Sequence, residues 1–258
     1  MATKLYDNII FGPVHSRRLG VSLGVNLLAI DTKICTFECI YCECGFTPKG
    51  IKPHFADKSE TLKQLEAVLK NRHDANEPLD VITFAGNGEP TMHPQFSEII
   101  DATLHLRDQY FPNSKISVLS NATMLHKTSV VNALKKVDNN ILKLDSGINH
   151  TAHLMDQPNQ PHYDVNLIAE QMKQFDGKFI LQTMFLRGNV NGETIDNTTE
   201  TEVTAWTKLV NLTRPQQIMM YSLDRDTPLQ TLQKVSKKEM EKIADTLRGQ
   251  GYNVSVAG

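Results

Sequence analysis

No cysteine occurs outside one short stretch: all four in the 258 residues fall between Cys35 and Cys44. Thiols clustered that tightly cannot form a disulfide framework spread through a domain, so they read as ligands or as a redox site. There is no second CxxC, which disfavours a structural zinc site built from two knuckles. No run of eighteen apolar residues occurs, so no membrane span is expected. The stretch MATKLYDNIIFGPVHSRR has no continuous apolar segment leading to a small-residue cleavage site, so no secretory signal is expected and the cytoplasm is the expected compartment. Nor is there an excess of one charge: 27 Lys plus Arg stand against 29 Asp plus Glu, a net charge of −2. That balance gives no general attraction to nucleic-acid phosphates, and a nucleic-acid partner would require a local basic patch. Internal repeats, low-complexity tracts and linkers are missing as well. The length and the 40% hydrophobic content fit one α/β domain spanning 1–258.

What is present is an alternation of apolar and amphipathic stretches. Strands are predicted near 22–30, 80–85, 115–119, 140–145, 178–184 and 216–222, with a short addition at 252–256. Helices are predicted near 59–72, 95–108, 127–136, 163–175, 200–213 and 236–249, the last opening on the capping-box pattern Ser236-x-x-Glu239. Six β-then-α units imply repeated right-handed crossovers. The result is either an open doubly wound sheet or a complete or partial barrel, and pattern alone does not choose. Residues 149–162 and 187–199 read as polar loops, either lids or plain surface. In the fourth strand Lys143 and Asp145 share one face and Leu142 and Leu144 the other. In a barrel the leucines would meet the outer helices. Lys143 and Asp145 would then face the interior, as a structural ion pair or as catalytic candidates.

The segment Cys35-Thr-Phe-Glu-Cys39-Ile-Tyr-Cys42 follows the first strand and offers three thiolates at spacings of four and three residues. Soft sulfur donors match iron, and a four-iron cluster with three protein ligands keeps one iron open to another molecule. Two other arrangements use the same residues: a zinc site with Cys44 as fourth ligand, and a redox pair Cys39/Cys42 that leaves Cys35 unexplained. Cys44 is either a bystander or a fourth ligand that closes the cluster into an electron-transfer centre.

The CxxxCxΦC spacing, with Tyr41 as the aromatic Φ, resembles the signature of the radical S-adenosylmethionine (SAM) superfamily. The segment Phe84-Ala85-Gly86-Asn87-Gly88-Glu89-Pro90 looks like that superfamily's GGEP element, with Asn87 inserted in the glycine pair. The resemblance implies a partial parallel (β/α)6 barrel over about 22–228, with an N-terminal extension 1–21 and a C-terminal helix and short strand in 229–258. It implies a [4Fe–4S] cluster on Cys35, Cys39 and Cys42, with the amino and carboxylate groups of SAM on the open iron. Cofactor contacts are then expected from Tyr41, from Gly86, Asn87, Gly88 and Glu89, from Ser120, Asn121 and Gln182, and from Asp145. Gly86 and Gly88, lacking Cβ, would let backbone carbonyls approach the cofactor. The implied chemistry is reductive cleavage of SAM to a 5′-deoxyadenosyl radical that modifies a small molecule or an RNA base. Electrons would come from an external donor of the flavodoxin or ferredoxin type. Gly12-Pro-Val-His-Ser-Arg-Arg-Leu-Gly20 and Tyr221-Ser-Leu-Asp-Arg225 are similar to the wyosine-synthase-like (tRNA imidazoG37 synthetase-related) branch, although this chain has no cysteine before Cys35 for a second cluster. His15, Arg17, Arg18 and Tyr221 are the substrate-binding candidates, the arginines as planar donors to a phosphate or carboxylate. Two further readings accompany this one: an activase that makes a glycyl radical on a partner protein, and a non-enzymatic iron–sulfur or zinc protein.

Overall fold

One mixed sheet carries the architecture, in a computed structural model that describes residues 4–16, 20–225 and 227–257. Its elements begin with β1 (Ile10–Ser16), β2 (Gly20–Val25), α1 (Lys58–Asp74), β3 (Val81–Phe84), α2 (Phe96–Tyr110), β4 (Lys115–Ser120), α3 (Thr128–Leu134) and β5 (Asn139–Lys143). They continue with α4 (Asn149–Asp156), α5 (Val165–Met172), β6 (Ile180–Met184), β7 (Leu186–Val190), β8 (Glu193–Asp196) and α6 (Glu200–Thr213). The chain closes with β9 (Gln217–Tyr221), β10 (Gln233–Lys234), α7 (Lys237–Gly249) and β11 (Val254–Ala257). The main sheet runs β1-β2-β3-β4-β5-β6-β9-β11. It is parallel from β2 to β11 and antiparallel only at β1. Because β1 and β11 are edges, the barrel is partial and does not close.

Strand alternation sets the two faces. Leu23, Ile82, Val118, Leu142, Leu181 and Ile218 are buried in the layer shared with the helices, where α1 contributes Leu65 and Leu69 one turn apart. Leu142 and Leu144 take the helix-facing positions that the sequence predicts for them. On the lumen face, Leu119, Ile141, Ile180 and Met219 make a small separate cluster. Asp57 caps α1 by accepting from Glu60 N–H, and Ser236 and Glu239 form the predicted capping box on α7. Among the described residues no helix is long and apolar enough to cross a membrane.

Four features depart from the sequence-based assignment. Part of the expected N-terminal extension is β1, paired with β2 through a bulge between Phe11 and Val14 where Gly12-Pro13 interrupts the alternation. The stretch 149–162, read as loop, contains helix α4. The stretch 187–199, also read as loop, is mostly a hairpin, β7–β8, which β10 joins in a three-stranded sheet. The short terminal strand is not an appendage: β11 pairs in register with β9, Val254 opposite Ile218.

Candidate active site

The cysteines lie on the long connection from β2 to α1, and four anchors shape it. Ile34 bridges to the β3 exit, where Ile34 N–H donates to Asn87 O (2.8 Å) and Glu89 N–H donates to Ile34 O (3.1 Å). Glu38 N–H and Ile40 N–H donate to the carbonyls of Asp156 and Met155 (3.0 Å each), the last turn of α4. Lys33, whose side chain is only 1% exposed, donates to Gly45 O (2.9 Å) and to Glu38 Oε2 (3.3 Å), tying both limbs of the cysteine loop together. Thr47 N–H also donates to Glu38 Oε2, at 2.7 Å.

All four cysteines are free and half-buried. Cys35 Sγ accepts from Phe37 N–H (3.4 Å) and from Asn121 Nδ2 (3.7 Å), and Cys39 Sγ lies 3.3 Å from Lys143 Nζ. Burial pushes the Cys35 thiol up to about 12 and the Cys39 thiol well above its ordinary value. The Cys42 thiol is brought down to about 6 by its hydrogen bond with Cys44 and by Lys33, against the effect of burial. Cys44 is pushed up by that same hydrogen bond and by burial, and its Sγ sits 3.5 Å from Gly86 O. Burial opposes the charge of Lys33, but the neighbouring cysteine sulfurs and Glu38 together outweigh it and raise its pKa. Three soft donors beside two buried ammonium groups are a suitable setting for a sulfur-bound iron cluster, whose thiolates need compensating charge. No three His, Cys, Asp or Glu side chains converge on a single ion among the described residues. A four-iron cluster needs no such convergence, because each thiolate binds its own iron.

The β3 exit supports this loop closely. Gly88 has φ +137°, and a Cβ there would stand 1.8 Å from Ile34 O; at Gly86, φ +151°, a Cβ would stand 2.5 Å from Asn26 Oδ1. The glycines thus admit the cluster loop's own residues, a requirement additional to the cofactor approach expected from the sequence. The Asn87 side chain is fully buried and staples the N-terminal segment, accepting from Tyr6 N–H and donating to Tyr6 O and Ala29 O, each at 2.8 Å. Glu89 accepts from Thr91 N–H (3.0 Å), Ser120 Oγ (3.0 Å) and Asn121 N–H (2.6 Å). Burial raises its pKa against those hydrogen bonds. Asn121 carries the network onward to Thr36 Oγ1 (2.8 Å) and so to the cysteine loop.

Two connected spaces occupy the lumen. An inner apolar cavity of about 160 Å³ is lined by Gln182, Thr83, Leu119, Ile141 and Met219 and capped by the stacked rings of Tyr6 and Phe11, 3.8 Å apart. A wider cleft of about 430 Å³ opens above it and brings together His15, Tyr41, Tyr221 and the Glu43–Arg225 pair. Arg17 and Arg18 lie outside the described residues. Asp145 sits at the junction of strand ends, where Oδ1 accepts from Met184 N–H (3.0 Å) and Oδ2 accepts from Tyr41 OH and pairs with Lys143 (2.9 Å). Sequence reasoning does not single out Lys33, Asp156, Tyr6 or Arg225 as site residues. Lys33 is two residues from Cys35, but Asp156 falls in the stretch read as loop.

A partial parallel barrel with its thiols and polar groups gathered at the C-terminal strand ends has them where β/α barrels carry their chemistry. Residues 30–150, from the cysteine loop past β5, match the Radical SAM superfamily model. The fold is similar to that of Streptococcus suis SuiB bound to S-adenosylmethionine (TM-score 0.63, 15% identity, 88% of this chain and 49% of that one). It is also similar to TYW1 with a lysine–pyruvate adduct bound (TM-score 0.62, 14% identity, 88% of this chain and 73% of that one). At those identities the likeness is one of fold. A UPF0026 protein of Helicobacter pylori (strain 26695) is 30% identical over 239 residues, 91% of this chain and 72% of its own length. One from Synechocystis is 30% identical over 231 residues, 86% and 77% respectively. The GTPase Obg of Brachyspira hyodysenteriae is 30% identical over 246 residues, of which this chain spans 33% of the relative's length. The chain belongs to the UPF0026 family and carries the radical SAM superfamily's domain over residues 30–150.

Proposed function

We propose that Cys35, Cys39 and Cys42 hold a [4Fe–4S] cluster with SAM beside it, and that the chain acts on a substrate in the cleft lined by His15, Tyr41 and Tyr221. The observation that carries this reading is the arrangement of the three thiols. They share one braced loop at the strand ends, flanked by buried Lys33 and largely buried Lys143, beside the lumen and the cleft. When bound, cluster and cofactor supply one-electron reductive cleavage of SAM. The protein's part is to bind, orient and exclude water. The backbone of Gly86–Glu89 and the Asn121 amide border the cysteine loop, and Gln182 reaches the inner cavity, so these groups are the ones to orient SAM. The stacked Tyr6–Phe11 pair forms part of the wall of the inner cavity and narrows water's access to it. Electrons come from an external donor of the flavodoxin or ferredoxin type. No lysine adduct of the kind recorded for TYW1 is assigned to Lys143, whose ammonium is paired with both Asp145 and Asp156.

Ligand assignment is tested by anaerobic reconstitution with iron and sulfide. Cys35→Ala, Cys39→Ala and Cys42→Ala are each expected to lose the cluster's visible absorbance, whereas Cys44→Ala retains it. Equal loss at Cys44 would instead support a closed, four-cysteine cluster serving electron transfer alone.

A further inference from the structure

Lys143 ends β5 on its lumen face, and its ammonium is surrounded by three acceptors and two aromatic rings. Nζ lies 3.3 Å from Cys39 Sγ and 2.9 Å from Asp145 Oδ2, and it contacts Asp156 Oδ1. The rings of Tyr41 and Phe37 stand 4.9 and 5.1 Å from it, close enough for cation–π attraction. An ammonium has three N–H donors, and here there are three acceptors: one sulfur and two carboxylates. Those carboxylates are themselves fixed. Tyr41 OH and Met184 N–H hold Asp145, and the backbone of Asp156 is bonded to Glu38 N–H within the cysteine loop. With its donors committed and its side chain 12% exposed, Lys143 is not positioned to reach a substrate in the cleft.

What this arrangement can do is act on the sulfur. A cation a few ångströms from a thiolate, in a poorly hydrated interior, stabilises the more negative state of whatever that thiolate binds. Hydrogen bonds to cluster sulfurs and nearby net charge are established determinants of cluster potential. Adding one electron makes the cluster more negative, so the lysine favours the reduced form, while the two carboxylates aim the lysine and offset part of its effect. We propose that Lys143 is a positioning residue that donates a hydrogen bond to the Cys39 sulfur and raises the reduction potential of the cluster, with Asp145 and Asp156 holding it there. This rests on the reading of Cys39 as a cluster ligand.

The test uses the full chain, reconstituted anaerobically, with iron content measured first and the midpoint potential then read by an EPR-monitored titration with dithionite and mediators, without SAM. At a fixed applied potential, Lys143→Met is expected to lower the reduced-to-oxidised ratio by about tenfold or more, equivalent to 59 mV for a one-electron couple. Asp156→Asn, which keeps the cation and removes an opposing charge, is expected to move the ratio several-fold the other way. A purely structural role would lower iron content or thermal stability and leave the potential of the loaded fraction unmoved, and that result overturns the proposal. If Lys143→Met takes up no iron, Asp156→Asn decides by the same criterion. If neither variant loads while the wild type does, the triad is scaffolding and the proposal fails. Absence of iron from the wild type itself would refute the ligand reading instead, so the two failures are distinguishable.

Discussion

At Gly88 the chain leaving β3 passes against the cluster loop with no room for a side chain: a Cβ would overlap Ile34 O at 1.8 Å, and φ of +137° is itself closed to L side chains. Gly88→Ala is therefore expected to cost about 2 kcal/mol or more and to lower iron uptake by displacing Ile34, measured by thermal unfolding and iron analysis. Gly50 is a useful comparison, because a Cβ there meets nothing within 4 Å. The glycine pair is legible in the sequence through its likeness to GGEP, but its contact with Ile34 is not, since 54 residues separate the two positions. Lys143 and Asp145 are legible as lumen-facing charges from alternation alone. Their third partner, Asp156, is not, because nothing in Asn149–Asp156 signals that α4 would carry it back to β5. Asn87 carries a similar lesson: inserted between two glycines it looks like a departure from a motif, whereas in the fold its amide fastens the N-terminal segment at Tyr6.

Among the elements, α7 is the one most fully specified by its own sequence. Ser236 accepts from Glu239 N–H, Glu239 bonds back to Ser236, and the same Glu239 carboxylate pairs with Arg187 on β7, tying the terminal helix to the hairpin. Ser236→Ala is expected to destabilise the protein by about 1 kcal/mol, read from chemical denaturation. The Glu239 carboxyl is held down to about 2 by the Ser236 hydrogen bonds and then by Arg187. Its contribution is thus complete above the unfolded carboxyl value of about 4.3 and is lost as pH falls toward 2. The effect of Ser236→Ala should accordingly shrink through that acid window. The β7–β8 hairpin was equally available from sequence: Asn191-Gly192 are the two residues of its turn, both with positive φ (52° and 93°), the signal of a type I′ connection. It was obscured by the polar residues around it. Helix α4 gave less warning, since its buried face mixes Thr151 and Asp156 with Ala152 and Met155. Strand β1 was hidden by Gly12-Pro13, which breaks the alternation that identifies a strand.

Across the whole molecule, the order of β and α segments was enough to establish parallel construction, because right-handed crossovers admit few other arrangements. Whether the sheet closes was not legible from the pattern alone; the partial barrel was expected only from the resemblance to the radical SAM superfamily, and the open sheet bears it out. Closure depends on which strands form the edges, and the edges are β1, unrecognised in the sequence, and β11, a four-residue strand. An open seam leaves the lumen continuous with the cleft of His15 and Tyr221, so the chain's N-terminal segment, through Tyr6, Phe11 and Val14, forms part of the wall around both spaces. The cysteine loop, the α4 end and the β7–β8 hairpin share a second apolar cluster with Ile40, Tyr41, Met155, Met184 and Val190, which packs the cluster loop against the hairpin. The site is thus assembled from segments distant in sequence, and the cysteines alone identify only its first part. The yield of 5′-deoxyadenosine from the anaerobically reconstituted chain, reduced with dithionite in the presence of SAM, bears on the proposed chemistry at its source. The expected result is 5′-deoxyadenosine formed by the loaded wild type and absent with Cys39→Ala; a chain with full iron and sulfide content that reduces normally yet forms none would show that it does not cleave SAM.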